Sequence, residues 1–434
     1  MCIYENLNIS LISDLFSRVV YNHVYITMTS TTLSNLPCNV LDKILGGLPL
    51  KDAVKTSILS KDWTYKWVTR AELDFRSEFY TYFNENQEAM KIIYQVLRLH
   101  QGPILKFALE RPDLICDRDI DNWMLFLSKK NVQELTLQIF TGSEYHLPSH
   151  LFTFKQLRHL RLEMCFFQPP PNFKGFSNLI SVNLQHVIFD PSIFRNLITK
   201  CPLLESLMLT RCTAFDILEI DAPTLKCFDF LGTSKSICLK NVPMLRTVVV
   251  CLNRIFMDTS SFSSNLTKFF HFVPSLEALE LGGSSLEYLT MGGIPENPPA
   301  ALNNVKSLCL SDMSFGNVEE VSSAVYLITS CPKLQELAIE CEAVGIIMEP
   351  VIQFLRTKAI SCNAMKLLKS VEMRYFIGFE MEIEFVKFIL ASAPGLEEIF
   401  IWSSGQFHRG TQMMDEMKQF HRKSPNVRFK FEEM

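Results

Sequence analysis

From about residue 100 onward, one six-residue template, apolar-x-x-apolar-x-apolar, recurs along the chain. Its copies are Val132/Leu135/Leu137, Leu157/Leu160/Leu162, Leu179/Val182/Leu184, Leu204/Leu207/Leu209, Leu225/Phe228/Phe230 and Leu245/Val248/Val250. Leu276/Leu279/Leu281, Val305/Leu308/Leu310, Leu334/Leu337/Ile339, Leu368/Val371/Met373 and Leu396/Ile399/Ile401 continue the series, and Ile104/Phe107/Leu109 is an earlier member. The last two apolar positions alternate, so they share one face of a short strand, while the first helps turn the chain into it. No copy can bury that face alone. Stacked copies form a parallel sheet over one continuous core, with the intervening segments returning along the outside as helices or irregular turns. The predicted fold class is α/β, built as a solenoid.

The punctuation agrees. Cys201-Pro202, Ala222-Pro223, Val242-Pro243, Val273-Pro274, Cys331-Pro332 and Ala393-Pro394 each put a proline two residues before the first apolar position, where its fixed φ sets the approach to the strand. Residues 194–198 and 321–328 have helical periodicity and are expected on the convex side. The spacing of copies drifts from about 20 to about 34 residues, overlapping and slightly exceeding the leucine-rich-repeat range.

Residues 33–75 follow a different rhythm, with three short helical segments. Pro37 suits a first helical turn, Val40, Leu41, Ile44, Leu45 and Leu48 recur at helical spacing, and Gly46-Gly47 is expected to end the segment with a positive-φ residue. A second helix follows Pro49, with Leu50, Ala53, Val54 and Ile58 on one side; Ser60 can cap a third that carries Trp63 and Trp67 four residues apart. So short a segment hides too little of its surface to stand alone, which leaves two readings: a bundle closed against the rest of its chain, or one that holds a partner.

The run Leu36-Pro37, Val40-Leu41, Ile44-Leu45, Leu48-Pro49, Asp52-Ala53-Val54, Thr56-Ser57, Leu59-Ser60, Trp63 and Trp67 resembles the F-box of plant proteins. Together with the repeats, and with LKSVEMRYF, EFVKFILASAPGLEEIFIW and HRKSPNVRFKF near the C-terminus, it resembles the plant F-box/FBD/leucine-rich-repeat protein family over about residues 32–434. The resemblance implies a three-helix F-box at 32–76, an irregular leucine-rich-repeat solenoid at 77–364 and an FBD-like region at 365–434. The last would continue the repeats, with Ile383, Val386, Phe388, Ile389 and Leu390 packing a helix between the strands near Val371 and Ile399. It further implies docking on a Skp-type adaptor, and through it a cullin, by Leu36, Pro37, Val40, Leu41, Ile44, Leu45, Leu48, Val54 and Leu59, with Trp63 and Trp67 as anchors or internal packing. Gly46-Gly47 departs from the family pattern, in which bulkier or hydroxyl residues are more usual, and is expected to loosen that helix end. Residues 1–31 carry no clear pattern and are expected to be a disordered extension or, up to Met28, a stretch upstream of the ordinary start.

Composition narrows the chemistry. Charges nearly cancel, 42 Lys+Arg against 46 Asp+Glu, which removes the basic footprint of a nucleic-acid binder. The thirteen cysteines include no C-x-x-C pair and are expected to be reduced, in the cytosol or nucleus. Neither a signal peptide nor an apolar run long enough to span a bilayer is read, so no membrane partner is expected. No nucleophile signature surrounds any cysteine, and Cys201 and Cys331 read as repeat packing. His146 and His150 are separated by a helix-breaking Pro148 and lack a ligand set, and Gly282-Gly283 and Gly292-Gly293 are expected in a loop-like insert without phosphate-binding context. No catalytic residue, cofactor or metal is predicted.

What remains is a non-catalytic receptor that holds a target protein on the exposed strand face. Arg161, Glu163, Asn183, Met208, Asp229, Glu280, Arg374, Phe400 and Trp402 alternate with the core positions and are the candidate target contacts. Phe400 and Trp402 are either partner anchors or packing beneath the C-terminal tail. The alternatives are a leucine-rich-repeat receptor for a small ligand, an interaction protein outside any ligase, or an enzyme whose site is assembled from distant residues.

Overall fold

A computed structural model describes residues 38–56, 66–80, 86–111, 117–140, 145–253, 269–290, 294–295, 297–342, 349–361, 365–403 and 415–433. Two units are present, residues 1–70 and 71–434.

In the first unit a helix spans Cys38–Gly46, a second Leu50–Lys55, and a 3-10 turn Lys66–Thr69. Leu45, Leu50, Ala53, Trp67 and Val68 are its buried apolar residues among those described. The first helix does not end as expected, because neither Gly46 nor Gly47 adopts positive φ, and both have room for a Cβ. Arg70 closes that end instead. Its Nη1 donates to the Leu48 carbonyl at 2.8 Å and its Nη2 to that of Gly46 at 3.1 Å, satisfying carbonyls that a left-handed glycine would otherwise help to pair. The expected third helix from Ser60 lies largely outside the described residues.

The second unit is built on strands. They are β1 (Glu72–Phe75), β2 (Lys106–Arg111), β3 (Glu134–Ile139), β4 (Tyr145–His146), β5 (His159–Glu163), β6 (Cys165–Phe166), β7 (Ser181–Gln185), β8 (Ser206–Thr210) and β9 (Phe215–Asp221). Then come β10 (Cys227–Gly232), β11 (Ser234–Lys240), β12 (Thr247–Leu252), β13 (Ala278–Gly283), β14 (Ser307–Ser314), β15 (Glu336–Glu342), β16 (Ser370–Phe376), β17 (Glu398–Ser403) and β18 (Arg428–Glu433). Fourteen of them form one parallel sheet in the order β1-β2-β3-β5-β7-β8-β10-β12-β13-β14-β15-β16-β17-β18. β16, β17 and β18 extend it without a break in strand order.

Every copy of the template lands as predicted, its last two apolar residues on one strand. All three apolar positions of each copy are 2% exposed or less, so the core is a set of ladders in which each side chain stacks on its counterpart in the next strand. Full burial stabilises the fold by about 1.5–3 kcal/mol per side chain of this size, against the conformational entropy of ordering the turn. At five of the six proline dipeptides, Val273-Pro274 excepted, the N–H of the first apolar residue bonds the carbonyl before the proline, as from Leu204 to Cys201 (3.2 Å) and Leu334 to Cys331 (3.1 Å). Several turns are also stapled to their predecessors. Asn178 Nδ2 donates to the Lys155 carbonyl (2.9 Å), Ser275 Oγ to Pro243 (2.8 Å) and Asn304 Nδ2 to Pro274 (3.1 Å).

Helices Pro191–Thr199, Val318–Thr329, Glu349–Ser361 and Glu380–Ser392 provide return segments. In the last, Val386, Phe388, Ile389 and Leu390 are buried and Ile383 half-buried. The return path is not helical throughout, since β9 and β11 pair as a separate two-stranded sheet and β4 and β6 as another. β1 was expected within the helical module but pairs with β2, because Leu73 and Phe75 match the core register of Phe107 and Leu109.

Candidate functional site

Alternation puts the predicted target contacts on the strand face opposite the core, and register joins them. One row runs Arg161, Asn183, Met208, Asp229, Val249, Glu280, Cys309, Ala338, Glu372, Phe400 and Lys430, each paired with the next across adjacent strands. Six predicted residues, Arg161, Asn183, Met208, Asp229, Glu280 and Phe400, therefore share a single line. Glu163, Arg374 and Trp402 stand two residues further along their strands. The sequence reading missed Glu340, Glu372 and Lys430, which only the register shows to face the predicted ones.

The C-terminal part of the face is internally satisfied. Arg374 donates from Nε and Nη2 to the two oxygens of Glu372 (2.9 and 3.1 Å) and from Nη1 to Glu340 (3.0 Å), contacts that raise its pKa further. Lys430 lies 4.2 Å from the Phe400 ring centroid and bonds Glu398 at 3.0 Å, so the Lys430 side chain of the last strand covers the half-buried Phe400 ring. Trp402 is half-buried and its Nε1 has no partner among the described residues. At the other end Gln138 donates to Glu163 (3.0 Å), with Arg161 at 3.9 Å.

The middle differs. Asp229 has no hydrogen bond or ion pair among the described residues, and burial followed by the charge of Glu280 holds its carboxyl above the usual range. Glu280 accepts from Ser311 Oγ at 3.2 Å.

Other candidate chemistry resolves into packing. Burial pushes the thiols of Cys201 up to about 11 and Cys331 up to about 12, which keeps them protonated and poor nucleophiles. His146 stacks on Phe166 at 4.4 Å, and His150 falls in the separate 3-10 turn Ser149–Thr153. Among the described residues no group of three or more His, Cys, Asp or Glu could hold a metal, and no helix is long and apolar enough to cross a membrane. Gly282-Gly283 requires a correction: the pair closes β13, and the helix Ser285–Thr290 follows at once. A Cβ on Gly283 would lie 2.3 Å from the Leu252 carbonyl oxygen, and the φ of 56° suits glycine, so tight strand exit explains both residues. Gly292-Gly293 lies outside the described residues. Clefts of about 310, 430 and 280 Å³ lie along the sheet's rims, lined for example by Arg246 and Lys333, Pro394 and Asn426, and Ser284 and Asn317.

In the first unit Val40 is exposed, Ile44, Leu48 and Val54 are half-buried, and Leu45 and Trp67 are buried. Leu41 lies on the first helix. Leu36, Pro37, Leu59 and Trp63 lie outside the described residues.

The family described as "FBD-associated F-box protein At5g56370, LRR repeats" matches residues 120–339. F-box/FBD/LRR-repeat protein At1g13570 of Arabidopsis thaliana is 34% identical over 409 residues, covering 92% of this chain and 98% of that protein. The chain belongs to the F-box/FBD/LRR-repeat family. F-box/LRR-repeat protein At3g03360 of Arabidopsis thaliana is 23% identical over 357 residues, covering 73% of this chain and 71% of that protein. Among solved structures, LRR protein LIC12759 of Leptospira interrogans is 15% identical with a TM-score of 0.38, covering 93% of this chain and all of that one (100%). Membership in this F-box/FBD/LRR-repeat family suggests a protein-interaction or ligase-adaptor role, without catalysis of its own.

Proposed function

We propose that this protein is the target-recognition subunit of a Skp–cullin–F-box ubiquitin ligase. Its F-box docks the Skp-type adaptor, and the outward strand face holds the target protein. The observation that carries this reading is an F-box/FBD/LRR-repeat relative at 34% identity that covers 92% of the chain. The chain performs no covalent step; it raises the effective concentration of the target beside the ubiquitin carrier. Apolar Val40 and Ile44 on the first helix, with Leu48 just after it, suit a helical groove interface. The free cysteines, nine of them described, suit a reducing compartment, cytosol or nucleus.

The test is co-expression with a Skp-type adaptor beside the triple variant Leu36→Ala, Pro37→Ala, Trp63→Ala, with the fold of each checked by circular dichroism. Tight binding by the wild type that is lost in a folded variant supports the reading. A folded wild type that fails to bind overturns it and leaves an interaction protein outside the ligase.

A further inference from the structure

The chain is nearly neutral as a whole, yet the sheet is not. Six strands adjacent in the sheet, β8, β10, β12, β13, β14 and β15, contain Asp229, Glu280, Asp312, Glu336, Glu340 and Glu342 and no lysine, arginine or histidine. Two of these carboxylates, Asp229 and Glu280, stand in the centre of the outward row, separated by the one strand that carries Val249. At about 4.8 Å per strand step their Cα atoms are roughly 10 Å apart.

The floor around them is low. Val249, Cys309 and Ala338 continue the row, and beside them Gly282 has so little space that a Cβ would sit 2.6 Å from Cys251 Sγ. Larger side chains flank it, Met208 and Arg161 on one side and Glu372, Phe400 and Trp402 on the other.

Neither flanking arginine is free to neutralise the floor, since Arg374 is divided between Glu372 and Glu340 and Arg161 leans toward Glu163. A second group reports the same negative field: the Cys251 thiol is pushed up to about 12 by burial and then by Glu280, Asp229 and Asp312. Two half-buried like charges with no cation beside them among the described residues destabilise the free protein, and a guanidinium or ammonium brought by a partner removes that cost while gaining charge-assisted hydrogen bonds.

We propose that this acidic floor docks a basic segment of the target protein, whose arginine or lysine side chains reach Asp229 and Glu280. This rests on reading the outward strand face as the target surface.

The probe is a library of fluorescently labelled acetylated decapeptides titrated against the full-length chain bound to its adaptor. Peptides with two or more arginines or lysines should bind at least tenfold tighter than the same peptides with citrulline or norleucine in those places. The double variant Asp229→Asn, Glu280→Gln should erase that difference while staying folded, with a melting temperature no lower than that of the wild type, and keeping adaptor binding, and Glu280→Lys should turn the preference toward acidic peptides. A basic preference that survives in the folded double variant overturns the proposal. So does tight binding by neutral or acidic peptides that Val249→Tyr abolishes, although that result leaves the outward face as the target surface. Absence of any peptide binding, with the adaptor still bound, overturns both the basic-segment proposal and the assignment of this face, and leaves the F-box docking in place.

Discussion

The middle and the C-terminal part of the outward face are made by the same strand geometry and differ in how their charges are settled. Around Arg374 every charge has a partner: two carboxylates share the guanidinium, and Lys430 covers Phe400 while bonding Glu398. Around Asp229 and Glu280 the carboxylates face each other across Val249 with no cation among the described residues. A satisfied network is sufficiently explained by the stability of its own chain. An unsatisfied one in the centre of an open sheet marks a surface held ready for something else.

Substitutions can break this contrast. Phe228→Ala removes a side chain buried directly beneath the middle strands and should cost about 3–5 kcal/mol in chemical denaturation, disturbing the unit regardless of its outward charges. Gly283→Ala forces a side chain into a left-handed strand exit against the Leu252 carbonyl, and a loss of about 2–3 kcal/mol is expected. Arg374→Ala strips the cation from Glu340 and Glu372. Charged hydrogen bonds of this kind are worth about 1.5–3 kcal/mol when buried, and discounting for a side chain 38% exposed gives a loss of about 1 kcal/mol.

Asp229→Asn should act in the opposite direction and raise the melting temperature, by a few tenths to about 1 kcal/mol of stability. The gain belongs to neutral pH. A carboxyl whose folded pKa is raised penalises the fold in full above that pKa and not at all below its unfolded value, so the difference between variant and wild type should vanish as the solution is acidified through that window. If Asp229→Asn destabilises as Arg374→Ala does, the two parts of the face are alike and the contrast fails. Arg70→Ala offers a parallel test in the first unit: it should fray the helix Cys38–Gly46 and lower adaptor affinity, whereas Gly47→Ala, with no positive φ to lose, should be tolerated.

The template strands were legible because alternation and burial coincide in them: Val248 and Val250 face the core while Val249 between them does not. β18 escaped notice as a strand because its alternation is only half-buried, with Phe429 and Phe431 stacked on each other at the sheet edge. β9 and β11 were missed because they occupy a return path where helices were expected; Leu218 and Ile220 bury one side of β9 while Ile217 on the other stays exposed. Left-handed residues at the strand exits Met164, His186 and Arg211, and at the register shifts inside β14 and β16 at Asp312 and Tyr375, gave no signal either, since none is glycine. On the candidate face, alternation identified the residues, but which of them meet depended on register. Arg374 and Glu340 are 34 residues apart in the chain and become neighbours only when β15 and β16 align.

The single-file strand order has a mechanical consequence. Each strand of the large sheet is hydrogen-bonded only to its immediate neighbours, so a pulling force applied beyond β18 loads one seam at a time, like a zipper. The half-buried last strand should peel first at low force. Each later step should then yield a similar increment of released chain, in contrast to the single high-force rupture of a protein whose terminal strands are sheared against each other.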